Sequence, residues 1–156
     1  MRPLRRDDFD ALFAAASDPL IWEQHPDARY REDVFREFFA EHLATGGALA
    51  VLDARSGEVI GTSRYAGYDT ERSEVEIGWT FLARAYWGGV YNGDLKRLML
   101  EHAFRFVATV VFVVAPGNIR SQRAVEKLGA VRAGSRYDDI RGERLVFALQ
   151  REVWSP

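Results

Sequence analysis

Apolar residues recur at helical spacing in two early stretches. Within 7-DDFDALFAAAS-17, Phe9, Leu12, Phe13 and Ala16 lie three and four apart, predicting a first helix with Asp7 capping its first turn. After the turn-rich segment 18–27, Val34, Phe35, Phe38, Phe39 and Leu43 repeat the pattern over 31–43, and Gly46-Gly47 ends this second helix. The period then changes. Segments 48–54 and 58–68 read as strands joined by a turn at Ser56-Gly57. Segment 73–82 alternates, with Val75, Ile77, Trp79 and Phe81 on one face and Glu74, Glu76, Gly78 and Thr80 on the other.

From about Asn92 to Val107 the apolar residues Leu95, Leu98, Met99, Ala103, Phe104 and Phe106 cover more than one helical stripe. This predicts a third helix buried on much of its circumference against the sheet. The run 106-FVATVVFVVA-115 is rich in β-branched residues and predicts a central strand over 109–115. Pro116-Gly117 breaks it. A fourth helix over 118–129 closes at Gly129, and strands near 130–136 and 143–152 complete the order ααβββαβαββ. The expected fold class is mixed α/β, a central sheet flanked by about four helices. With no repeat, linker or low-complexity tract, residues 1–156 are expected to form one domain.

Composition narrows the partners. A chain that is 47% hydrophobic and 28% charged is built to fold, and a formal net charge of -2 supplies no broad attraction for nucleic acid or an anionic membrane. The absence of cysteine removes disulfides, thiol nucleophiles and thiolate metal sites, and suits a reducing compartment. The first residues turn acidic before any apolar core of a signal peptide develops, and the most apolar run falls short of the ~20 residues that span a bilayer. A cytoplasmic protein with no membrane or nucleic-acid partner is expected. His25, His42 and His102 form no HExxH or comparable ligand pattern, so no metal is expected.

Chemistry enters at 85-AYWGGVYNGDLKRLMLEHAFRFV-107, where Trp87, Gly88 and Gly89 run into the third helix. A glycine turn opening a helix presents unpaired N–H groups at the positive end of the dipole and suits a phosphate. The GxGxxG and GxxxxGK[ST] spacings are both absent, and a tight strand-to-helix turn accounts for the same glycines. Downstream, Asn118 stands at the N-cap of the fourth helix with Ser121 at its third position.

The stretches 76-EIGWTFL-82, 86-YWGGVYN-92 and 118-NIRSQRAVEKLGA-130, in this order of elements, resemble the GNAT acetyltransferase family, nearest its RimJ/RimL-like branch, over almost the whole chain. The resemblance implies a mostly antiparallel, splayed sheet with acetyl-CoA as co-substrate between the third hairpin strand and the buried strand. It implies pyrophosphate on the backbone of Trp87, Gly88, Gly89, Val90, Tyr91 and Asn92, and pantetheine on Phe81, Leu82 and Asn118. Ser121 would lie near the thioester sulfur as proton donor. Trp22, His25 and Tyr30 would help shape the pocket for the acceptor, a protein N-terminus or a small-molecule amine, and a homodimer is also implied.

Direct transfer needs a base for the acceptor ammonium, and Glu76, on the polar face of the strand lining that gap, is the candidate, through a water. The competing reading is a solvated strand face whose carboxylates pair with Arg64 or Arg72. Two departures stand out. Val90 and Asn92 occupy positions where the family has glycine and glycine or alanine, and only 2-RPLR-5 remains for the first strand, which is expected to be shortened. The loop motivates a second function class, a catalytically weak module that binds CoA or another ligand.

Overall fold

The change of hydrophobic period from helical to alternating and back is realised as seven strands and four helices in the computed structural model, which describes residues 1–139 and 142–155. In chain order these are β1 (Arg2–Pro3), α1 (Phe9–Ala16), α2 (Glu32–Thr45), β2 (Ala48–Leu52), β3 (Val59–Asp69), β4 (Glu74–Leu82), α3 (Tyr91–Ala103), β5 (Thr109–Val114), α4 (Ile119–Glu126), β6 (Val131–Asp138) and β7 (Gly142–Gln150). The sheet order is β1-β2-β3-β4-β5-β7-β6. Among the described ladders only β4 with β5 is parallel, and it is short, pairing Glu74–Glu76 with Thr109–Val111. The chain divides into two compact units, Met1–Tyr65 with Trp79–Lys96, and Ala66–Gly78 with Arg97–Pro156.

In the first unit the helical apolar stripes meet as a core of Leu12, Ala16, Ile21, Trp22, Phe35, Phe38, Phe39 and Phe81. Trp22 satisfies its indole N–H on the Ala16 carbonyl at 2.8 Å, which lets the ring be buried without an orphaned donor. The expected remnant of a first strand is real: Arg2 and Pro3 pair antiparallel with Ala50 and Leu49 of β2. The cap expected from Asp7 is corrected. Asp8, not Asp7, stands at the N-cap of α1, and its carboxylate makes no capping bond to that helix; it accepts the Arg5 N–H at 2.8 Å and the Arg2 guanidinium at 2.7 and 2.5 Å, closing a 3-10 turn over Arg6–Asp8. Hydrogen bonding to Arg2 holds the Asp8 carboxyl below its usual range.

β3 and β4 approach so closely at Gly61 that a Cβ there would sit 2.1 Å from the Phe81 carbonyl oxygen. Gly61→Ala must move backbone, and is expected to destabilise by about 1–3 kcal/mol, read as a lower urea midpoint at unchanged m-value.

In the second unit β5 lies between β4 and β7, with Val110, Val111 and Phe112 buried, as its β-branched run predicts. The third helix differs from expectation. Leu95, Met99, Leu100 and Ala103 are buried, but Leu98 is 43% and Phe106 60% exposed, so the buried stripe is narrower than the residue types suggest. The helix ends at Ala103, and Phe106 belongs to the turn that follows.

Candidate active site

The strict alternation read along 73–82 fails at one residue. Trp79 takes a left-handed backbone conformation with φ +51°, which costs a bulky residue about 1–2 kcal/mol. The Arg64 guanidinium stacks 3.5 Å from its ring centroid. Past this irregularity the period of two is lost, and consecutive residues Phe81 and Leu82 are both buried.

The chain then turns through a 3-10 segment, Arg84–Tyr86, and the Trp87 indole N–H closes back on the Leu82 carbonyl at 2.9 Å. The Leu82 carbonyl, expected from sequence to meet pantetheine, accepts this bond. Gly88 has φ +72°, a conformation that requires glycine here, and a Cβ on it would meet nothing within 4 Å. The first helical bond after this turn runs from the Asp94 N–H to the Val90 carbonyl at 2.8 Å. The N–H groups from Gly88 to Gly93 therefore precede the α3 ladder, at the positive end of a 13-residue helix. Val90 is 70% exposed, so its side chain does not fill the cradle that a glycine would leave open. This open backbone with oriented donors fits a phosphate group.

Lys96 is not among the residues that the sequence pattern singles out. It is buried on α3 and donates from Nζ to the Thr80 Oγ1 at 2.6 Å, and that hydroxyl shares a further bond of 2.7 Å with the Ser63 Oγ. Burial pushes the ammonium down to about 7. The available signal was its spacing: Met99 and Leu100, three and four residues on, lie on the buried stripe.

In the second unit Glu76 lies half-buried on β4 between buried Val75 and Ile77, in register with Val111. A Cβ on Gly78 would come within 3.3 Å of the Glu76 Oε1, so glycine leaves room for the carboxylate along the strand. The pairings read from sequence are corrected. Glu74 takes Arg136 at 3.1 Å, Arg72 takes Asp69 at 3.7 Å and Arg64 takes Glu41 at 3.1 Å. These choices are set by tertiary placement, which spacing along the chain does not report.

Beyond β5, Asn118 caps α4 as expected, its Oδ1 accepting the Ser121 N–H at 3.0 Å. Gln122 holds the Ala115 and Pro116 carbonyls of the connecting turn. The Ser121 backbone is thus fixed by a bond that does not involve its hydroxyl. Asn118 and Ser121 lie together, as do Phe81, Leu82 and the 87–92 turn within the first unit. Trp22, expected at the acceptor pocket, packs into the core against Phe81 at 5.1 Å between ring centroids.

Among the described residues no group of three or more His, Asp or Glu side chains is arranged to hold a metal, and no helix is long and apolar enough to cross a membrane.

Residues 1–131 match the family model described as the acetyltransferase (GNAT) domain. Similar solved structures include one assigned as an acetyltransferase at 30% identity, with 96% of this chain and 81% of that chain covered and a TM-score of 0.78. A second, assigned as an acetyltransferase from T. thermophilus, is 29% identical over 97% of this chain and 85% of that chain, with a TM-score of 0.77. RimJ from Mycobacterium smegmatis, in complex with CoA-disulfide, shares the fold at 18% identity, 97% and 81% coverage and a TM-score of 0.71. No curated protein matches the sequence.

Proposed function

We propose, from the premise that the chain belongs to the acetyltransferase (GNAT) family, that it acetylates a primary amine by direct transfer in a ternary complex, as a RimJ/RimL-like enzyme. Acetyl-CoA supplies the activated acyl group as co-substrate. The whole chain serves as one catalytic domain, in the cytoplasm. The observation that carries this reading is the glycine turn, whose N–H donors from Gly88 to Asn92 precede the α3 ladder with no side chain over Gly88.

The turn binds the pyrophosphate, and the backbone of Phe81 and Leu82, with Asn118, holds the pantetheine arm. Glu76 takes a proton from the acceptor ammonium through a water, freeing the nitrogen lone pair for attack on the thioester carbonyl. Ser121 gives its hydroxyl proton to the departing sulfur. After attack the nitrogen gives up its second proton, which restores the Ser121 hydroxyl, and Glu76 returns its proton to water, so that ammonium and thioester become amide, thiol and one released proton. The alternative, a weak binding module, rests on Val90 and Asn92, and the outward position of Val90 weakens it.

The test pairs calorimetric titration of acetyl-CoA with thiol release over a panel of amines. Saturable binding with turnover on at least one amine is expected; neither at millimolar ligand would overturn the reading. Gly88 is a poor probe because its φ strains any replacement. Gly89 has no such strain, and its Cβ would lie 3.7 Å from the Tyr91 Cδ2, an ordinary contact. Gly89→Val is expected to raise the acetyl-CoA Kd roughly tenfold or more while stability stays within about 0.5 kcal/mol. An unchanged Kd would remove the turn from the binding site.

A further inference from the structure

Acetyl transfer leaves one concentration of buried charge unexplained. Arg29 is 5% exposed, its guanidinium 4.2 Å from the Phe38 ring centroid and 5.4 Å from that of Trp22. Arg64 is 4% exposed and lies over Trp79. His42, fully buried, packs 3.9 Å from Phe38. Burial and the two guanidiniums drive the imidazole down to about 3, so it is neutral and carries one N–H.

The satisfied and unsatisfied groups here are unequal. Arg29 meets Asp27 at 2.9 Å and Arg64 meets Glu41 at 3.1 Å, and these carboxylates are 42% and 52% exposed. The cations are inside and their counter-charges are at the surface. Among the described residues neither His42 nitrogen has a hydrogen-bond partner, nor has Arg64 Nε. Buried donors without acceptors cost about 1–3 kcal/mol each. An oxyanion supplies the acceptors that are missing and the negative charge that is displaced outward.

The position matters as much as the charge. Trp79, the ring on which Arg64 lies, is on β4 between Glu76 and Phe81, the residues proposed for base and pantetheine contact. We infer that Arg64, with Arg29, recognises a carboxylate on the acceptor, so that the substrate is a small amine of the amino-acid class. This inference rests on the amine acetyltransferase reading above. Glu41 meets Arg64 through Nη1, which leaves the Nε edge of the guanidinium for the incoming carboxylate. A polyamine would instead bring positive charge toward two buried guanidiniums.

The experiment uses the full chain, acetyl-CoA and thiol release, with L-phenylalanine, L-phenylalaninamide, phenethylamine and spermidine as probes. The amide amine is the weakest base of the first three and the most deprotonated near neutral pH, so preference for the acid cannot arise from amine basicity. The acid is expected to show kcat/KM at least about tenfold above its amide and phenethylamine. Arg64→Lys, which keeps the charge and loses the fork, should raise KM for the acid about tenfold and leave the amide within about twofold, because any loss of stability falls on both substrates alike. Equal use of acid and amide, preference for spermidine, or an equal effect of Arg64→Lys on both would overturn the inference and leave the acetyltransferase reading standing. No thiol release with any probe and no acetyl-CoA binding would overturn both.

Discussion

Ser121→Ala is expected to lower kcat by roughly ten- to ten-thousandfold, the range for removing a positioned general acid, with acetyl-CoA affinity nearly unchanged. The local structure makes this a clean substitution. Ser121 is tied into α4 through its backbone N–H, which donates to the Asn118 Oδ1 at 3.0 Å, and alanine keeps that bond. Asn118→Ala is the structural counterpart: it removes the cap at a cost of about 1 kcal/mol in stability. If Ser121 gives its proton to the departing sulfur, its loss falls on kcat and kcat/KM equally, because the interaction is made only as the thiolate forms. Near-wild-type turnover in Ser121→Ala would remove the assignment, and thiol release at saturating amine decides it.

How far the fold is legible in the chain depends on the range of the interaction that decides each feature. Helix faces and strands are written in local period, and the β-branched run at 109–114 marks its own burial. The Asn118 cap is a three-residue relation and equally readable. The misassigned Asp7 shows the limit. Asp8 is instead the carboxylate built into the helix entrance because Arg2 reaches it from β1, and pairing β1 with β2 is a long-range event. Trp79 shows another: a hydrophobic residue in an alternating run predicts a pleated strand, and its φ of +51° has no local signature in the residue type. The partners of Glu74, Arg64 and Arg72 also depend on which strands meet. Of the proposed site, the glycine turn and the α4 cap are visible in sequence, whereas the buried arginines with His42, and Lys96, emerge only after packing.

Lys96 carries the largest expected effect on stability. Its pKa falls from the usual 10.5 to about 7 because burial penalises the ammonium. Between those values the unfolded chain holds a proton that the folded chain has released, so stability rises with pH from about 7 to 10.5. Below 7 both states are protonated and the whole penalty of burying the charge is present. At about 1.4 kcal/mol per unit, that penalty is on the order of 5 kcal/mol. Lys96→Met keeps the unbranched stem and leaves the bond between Thr80 and Ser63 intact. It is expected to stabilise the protein most at pH 6, with the advantage over wild type shrinking steadily toward pH 9.5, measured as the difference in urea-unfolding free energy. A difference constant across that range would show that Lys96 does not titrate with folding. A lysine kept at such a cost against Thr80, one residue after the left-handed Trp79, points to a role in holding this part of β4. Stability gained together with turnover lost in Lys96→Met would express that trade directly.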